Sequence, residues 1–335
     1  MELSKHFQIK MMKHKLLFIC GFPSGGTDLT KTVLNAHPDI NVSGEMPFLV
    51  ELLNKGYDHK SSFSSLEEIE ELKEILKAGD TWNNVRNADF DFSDLLTKEK
   101  EMPLIEVLRV MFDKEHQLVW GNKTPQNTEN IPLLRALFPE AHFLIVTRDV
   151  RDTSLSWSRK WGKSMLWCAD KWNRRMQQGK RDSQDVKEGK ALWVKFEDLL
   201  SDPENICRLI CSSLDIPFSE QMLEHHKHTN EKLDGKLNYG KALKSDNQNK
   251  WESSMSSKKV QRIEEIAFDA MQKLNYSTEM ATSRMPITDF ELLKGRLNDI
   301  YALLFVGNRA SEDNTVGYRI KNVIHEVNKR LSGRR

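Results

Sequence analysis

Residues 16 to 20, Leu-Leu-Phe-Ile-Cys, form a compact apolar run closed by Gly21-Phe22-Pro23, and from Leu29 to Ala36 apolar residues recur at near-helical spacing. That pattern predicts strand, loop, helix. Ser65 to Lys77 reads as a helix with glutamates in its early turns and lysines later, as the helix dipole prefers. Trp82 to Phe92 lacks regular periodicity. A helix is expected at about 103–115, a short strand at 118–120 ending at Gly121, a helix at 131–138 and a buried strand at 143–146. From Asp152 to about Gln178 the chain reads as helical. A strand at 191–196, an acidic turn and a helix at 203–214 follow. Lys, Asn, Asp and Gly dominate 227–250, which reads as a mobile loop. Helices are expected at 260–274, 287–306 and 315–331. Strands alternating with helices imply an α/β fold, a mostly parallel sheet flanked by helices, with a C-terminal helical extension. We place the main domain at 15–276 and the extension at 285–335, as a cap or a homodimer element. No internal repeat or low-complexity tract is present.

Composition narrows the function classes. The 335 residues carry 50 Lys+Arg against 49 Asp+Glu, so overall charge gives no argument for nucleic acid or an anionic membrane, and partners must be read from local sites. No apolar stretch approaches the roughly 18 residues a spanning helix needs. Lys13-His14-Lys15 before the first apolar run superficially resembles a signal peptide, but the run is short and has no small-residue cleavage site. Four cysteines without paired-framework spacing suit a reducing compartment, so a cytoplasmic location is expected. Cys207 and Cys211 share a helix face, yet no second pair completes a zinc site.

Four segments carry candidate chemistry. Gly21 to Leu29 lies between a strand and a helix, where glycines let backbone N–H groups converge on phosphate oxygens. The loop is P-loop-like. However, Thr27 stands where a Walker A loop needs its lysine and Asp28 where it needs the magnesium-binding hydroxyl, which disfavours a metal-dependent NTPase. A glycine turn serving only tight packing is the alternative. Arg148 follows a buried strand, and Ser156 and Arg159, three apart, share a helix face; a guanidinium fork plus a hydroxyl matches a phosphate. Arg151 is expected to pair with Asp149 or Asp152. Lys123, in Trp120-Gly121-Asn122-Lys123-Thr124-Pro125, could stabilise transferred negative charge, and Glu45, in Ser43-Gly44-Glu45-Met46-Pro47, could remove a hydroxyl proton.

In this order the segments resemble the sulfotransferase superfamily that uses 3′-phosphoadenosine 5′-phosphosulfate (PAPS), and within it the tyrosylprotein sulfotransferase branch. The loop at 23–29 resembles the 5′-phosphosulfate loop, commonly Pro-(Arg/Lys)-Ser-Gly-Thr-Thr-Leu, and Arg148 to Ser156 resembles the 3′-phosphate motif. Ala36-His37-Pro38-Asp39, Gly44-Glu45, Asn122-Lys123, Lys171-Trp172-Asn173-Arg174 and Lys250-Trp251 also have counterparts, and the resemblance covers about residues 15 to 276. It implies Glu45 as general base and Lys123 as stabiliser of the transferring group. It also implies that Ser24, Gly25, Gly26, Thr27, Asp28, Leu29, Arg148, Ser156 and Arg159 bind PAPS, with adenosine 3′,5′-bisphosphate (PAP) as product and no metal. Three positions depart from the pattern. Ser24 replaces a basic residue, Asp28 a threonine, and Asn249 the serine before Lys-Trp. Either Lys123, Lys31 or a loop lysine compensates for Ser24, or turnover is weak. The expected activity is in-line sulfonate transfer to an acceptor hydroxyl, with a saccharide, lipid or small metabolite favoured. The alternatives are a degenerate PAPS/PAP-binding module and a protein-tyrosine sulfotransferase.

Overall fold

The computed structural model describes residues 14–46, 49–77, 90–93, 96, 101–112, 117–228, 243 and 247–301. In chain order its elements are β1 (Lys15–Gly21), α1 (Thr27–Leu34), β2 (Ile40–Ser43), α2 (Leu49–Asn54), β3 (Ser62–Phe63), α3 (Leu66–Lys77), β4 (Met102–Pro103), α4 (Leu104–Phe112), β5 (Val119–Lys123) and α5 (Ile131–Leu137). Then come β6 (His142–Thr147), α6 (Val150–Trp161), α7 (Met165–Asp182), β7 (Ala191–Lys195), α8 (Phe196–Ser201), α9 (Pro203–Ser213), α10 (His225–His228), α11 (Lys250–Ser254), α12 (Ser257–Lys273) and α13 (Asp289–Tyr301). Contacts divide the chain into two compact units. The first comprises Met1–Phe22, Gly26–Thr147 and Gln178–Thr229, and the second Pro23–Gly25, Arg148–Gln177 and Asn230–Arg335.

The first unit is built on a five-stranded sheet in the order β2-β5-β1-β6-β7, with every neighbouring pair parallel. A parallel sheet is covered on both faces, which is why β1 is a continuous apolar run rather than an alternating one. Leu16, Phe18 and Cys20 enter a core shared with α3, α4 and α5, where the Phe18 ring lies 5.8 Å from Phe138 and 5.5 Å from Phe143. Leu17 and Ile19, on the other face of the strand, are equally buried. Each such fully buried side chain contributes roughly 1.5–3 kcal/mol. From β1 the chain crosses first to one side of the sheet and later to the other, which creates a crevice at the carboxyl ends of the strands. Gly21, Ser43 and Lys123 are the last residues of β1, β2 and β5.

The second unit is organised by buried charge. Arg151, at the start of α6, pairs with Asp149 at 2.6 Å and with Glu264 of α12 at 2.7 Å, while the Trp251 ring covers its guanidinium at 3.9 Å. Glu264 also accepts the backbone N–H groups of Glu279, Met280 and Ala281. The expected Arg151–Asp149 pairing is present, and Glu264, more than a hundred residues along the chain, completes it. Trp172 is fully buried against Tyr276, and Asn173 accepts the backbone N–H of Ala270 at 3.1 Å. The Lys171-Trp172-Asn173-Arg174 and Lys250-Trp251 segments therefore supply architecture through their tryptophans and Asn173.

Several boundaries differ from expectation. The helical stretch from 152 breaks at Gly162, whose φ of 66° ends α6 in a left-handed turn before α7 begins. The strand expected at 118–120 continues to Lys123, because β5 keeps its register on β1 with Lys123 beside Ile19. The acidic turn before 203 is the helix α8. Strand β2 and helices α2 and α11 were not anticipated. Most of Trp82 to Phe92, most of the loop at 227–250 and the helix at 315–331 lie outside the described residues.

Candidate functional site

The phosphate-type loop leaves β1 at Gly21 and enters α1 at Gly26, which caps the helix with φ 92°. A side chain there is excluded twice. Left-handed backbone favours glycine, and a Cβ would lie 2.1 Å from the Phe196 ring. The N-cap Gly26 has no side chain with which to accept the first-turn amides, which have no helical partner. Thr27 is buried, and the Thr30 hydroxyl donates back to the Gly26 carbonyl at 3.1 Å, fixing the first turn. Ser24 also holds a left-handed conformation, φ 65°, and its buried Oγ has no hydrogen-bond partner among the described residues. An amide-lined turn that excludes a Cβ, together with an unsatisfied buried hydroxyl, fits the phosphosulfate end of a PAPS-like donor.

Lys123 is at the centre of a charge cluster in the first unit. Its side chain is buried, yet its ammonium lies 2.7 Å from Asp28 Oδ1 and 2.9 Å from Glu45 Oε1. Three sequence motifs, at 28, 45 and 123, thus converge on one point. Burial pulls the Lys123 pKa down, but the two carboxylates outweigh it and hold the ammonium above its ordinary range, so Lys123 is charged at neutral pH.

Backbone packing delivers Glu45 to that point. β2 runs parallel to β5, with Ser43 beside Asn122, and the Ser43 hydroxyl donates to the Gly121 carbonyl at 2.9 Å. Thr124 then pins the turn after β2. Its hydroxyl accepts the Met46 backbone N–H at 2.9 Å and donates to Asn122 Oδ1 at 3.0 Å. Asn127 Nδ2 donates to the same Asn122 oxygen at 3.3 Å. Sequence reasoning missed Thr124 and Phe196. The hydroxyl directly after Lys123 was the available signal for Thr124, whereas nothing local marks Phe196.

The second unit holds the other predicted group. Arg148 is the first residue after β6 in sequence, and its buried guanidinium donates to the Asn247 carbonyl at 2.8 Å and lies 3.7 Å from Asp152. Burial raises the Asp152 pKa, with Arg148 and the Trp251 backbone N–H opposing that rise. Ser156 and Arg159 fall on α6 three residues apart as expected. Arg159 is exposed and donates to the Ser254 hydroxyl at 2.9 Å. Cys207 and Cys211 are buried, with burial raising their pKa values to about 12 and about 11. Among the described residues, no group of three His, Cys, Asp or Glu side chains is placed to hold a metal.

Comparison with known proteins agrees with this architecture. The sequence model described as the sulfotransferase family matches residues 17–220. Protein-tyrosine sulfotransferase A of Caenorhabditis elegans is 30% identical over 218 residues, covering 63% of this chain and 52% of the relative. Protein-tyrosine sulfotransferase 1 of Homo sapiens is 27% identical, covering 63% and 54%. The chain spans about half the length of these curated relatives. Among solved structures, the sulfotransferase domain from the Synechococcus PCC 7002 olefin synthase aligns with a TM-score of 0.58 at 18% identity, covering 80% of this chain and 98% of that one, a likeness of fold. With the family match extending over more than half of its residues, the chain belongs to the sulfotransferase family.

Proposed function

We propose that the protein is a PAPS-dependent sulfotransferase that moves a sulfonate in line to an acceptor hydroxyl. The carrying observation is the meeting of Glu45 and Lys123 at 2.9 Å, at the carboxyl ends of two adjacent parallel strands. PAPS supplies an activated sulfonate whose sulfur–oxygen bond to the phosphate breaks as the bond to the acceptor oxygen forms, leaving PAP. Glu45 takes the acceptor proton, and Lys123 holds negative charge at the transferring group. The amides at the start of α1 and the Ser24 hydroxyl receive the phosphosulfate. Arg148, Ser156 and Arg159 receive the 3′ phosphate. Such chemistry depends on alignment and fixed charge, and the reading needs no metal.

The acceptor we favour is a saccharide, lipid or small-metabolite hydroxyl; a protein tyrosine is the second reading, supported by the names of the relatives. A non-enzymatic PAPS/PAP-binding module is favoured by one observation, the Asp28 carboxylate on Lys123. A reducing, cytoplasmic setting is part of the proposal, supported by four free, buried thiols. The test is incubation with sulfur-labelled PAPS and three acceptor sets: saccharides, lipid and small alcohols, and tyrosine peptides. Transfer to either of the first two supports the lead, and transfer to peptides alone supports the second. Saturable PAPS binding without transfer leaves the binding module, and absence of binding overturns every reading.

A further inference from the structure

α13 presents an apolar stripe to solvent. Phe290 is 74% exposed, Leu293 56%, Leu297 59% and Tyr301 58%, with Ile300 beside them. The spacing from 290 through 293 and 297 to 300 alternates three and four residues, the repeat of a helix–helix seam. The opposite face of the same helix is already packed. A Cβ on Gly295 would meet Ser164 Oγ at 2.9 Å, and Asp299 accepts the Ser164 backbone N–H at 2.8 Å. At about 100° per residue, Leu293 and Leu297 stand roughly 160° from the Gly295–Asp299 face. Helix α13 therefore has one satisfied side and one apolar side still facing water.

The sequence beyond Tyr301 matches that stripe. Leu304 extends it by one step. After the polar stretch 307–314, Gly-Asn-Arg-Ala-Ser-Glu-Asp-Asn, apolar residues recur at Val316, Ile320, Val323, Val327 and Leu331. Their spacing of four, three, four and four suits a helix of the same length. Eight residues is a normal connection between antiparallel helices. Folded back about that connection, Leu304 meets Val316, Ile300 meets Ile320, Leu297 meets Val323, Leu293 meets Val327 and Phe290 meets Leu331. Charge favours the same direction. Lys329 and Arg330 of the returning segment come beside Asp289, in the acidic first turn of α13.

We infer that residues 315–331 form a helix that packs antiparallel on the exposed face of α13, making the C-terminal region an intrachain helical hairpin. The partner for this apolar face is the chain's own C-terminal segment.

Paired cysteines in the full chain test this. The four native thiols are buried and give a low background. Leu297→Cys with Val323→Cys should close an intramolecular disulfide under diamide, read as a 297–323 peptide link in a species of monomer mass. Leu297→Cys with Val316→Cys, displaced by about 10 Å along the helix, should not. A covalent dimer from the first pair would assign the face to a second copy and overturn the inference. Failure of the first pair, or equal closure of both, would also overturn it. Hydrogen exchange on the unsubstituted chain is an independent check. The amides of 316–331 are expected to be protected together with those of 290–301, and coil-like exchange across 316–331 refutes the hairpin.

Discussion

Replacing Asp28 by asparagine removes one of the two carboxylates on Lys123 and nearly preserves shape. Asp28, Glu45 and Lys123 carry one positive and two negative charges within 2.7 and 2.9 Å of the ammonium. An anionic donor oxygen bonded to another side of that ammonium would lie roughly 4–6 Å from the Asp28 carboxylate, where the repulsion is about 1 kcal/mol in water and several-fold greater in a protein-like dielectric. The Asp28 side chain is 40% exposed, so solvent screening keeps the value near the lower end, about 1–2 kcal/mol. Asp28→Asn is therefore expected to tighten PAPS about tenfold in titration calorimetry at low salt. The gain should shrink as salt is raised toward 1 M, where the screening length falls to about 3 Å. Asp28→Thr, the residue of the family pattern, should behave similarly. Unchanged or weaker binding in both variants would refute the argument and make Asp28 a structural anchor of the loop.

Four further outcomes follow from the geometry. Glu45→Gln should lower turnover by about 10²-fold or more in a sulfonate-transfer assay without weakening PAPS, since it too removes a carboxylate from Lys123, whereas near-normal turnover excludes it as the base. Arg148→Ala should weaken PAP by about 10- to 100-fold and adenosine 5′-phosphate only slightly, as read by calorimetry; equal weakening would count against a 3′-phosphate role. Glu264→Ala leaves Arg151 with Asp149 as its one carboxylate partner and strands three backbone N–H groups, so urea denaturation should show a loss of about 3–5 kcal/mol. His225 is fully buried, and neither ring nitrogen has a partner among the described residues. Burial, then His226, lowers its pKa to about 4. Below pH 6.5 the unfolded chain binds the proton first, so stability falls by about 2 kcal/mol between pH 7 and 5 on this account, and His225→Gln should flatten that slope in thermal melts.

The periodic elements were legible because one interaction dominates them. β1 and β6 are buried on both faces and read as plain apolar runs, and α12 was found within three residues of its ends from one apolar stripe. β2 was missed because Ile40-Asn41-Val42-Ser43 is only half apolar. What makes it a strand is its pairing to β5, a long-range contact that a local window does not contain. The candidate site divides in the same way. Glu45 and Lys123 were each chosen from a short motif, and the sheet brings them together because β2 and β5 are neighbours. Asp28 was placed on the donor loop as a departure from the family, but its pairing with Lys123 depends on where β5 ends. Thr124 and Phe196 act through backbone geometry and shape, which no residue type announces.

The charge at the site links these observations. Relative to the family loop, position 24 has lost a cation and position 28 has gained a carboxylate, and both changes make the surroundings of an incoming sulfonate less positive. Lys123 is the natural substitute for the lost cation, being buried, ionised and fixed at a strand end, but its charge is already shared between Asp28 and Glu45. A donor oxygen either takes a remaining side of that ammonium, where both carboxylates repel it, or displaces one of them. Displacing Glu45 would free the base at the moment the acceptor needs it, whereas displacing Asp28 would leave Glu45 still held by the ammonium and a weaker base. Asp28, the more exposed contact at the helix start, thus opposes the electrostatics of transfer in either arrangement. Adaptation and decay of the donor site are separated by how this one carboxylate responds when the donor arrives.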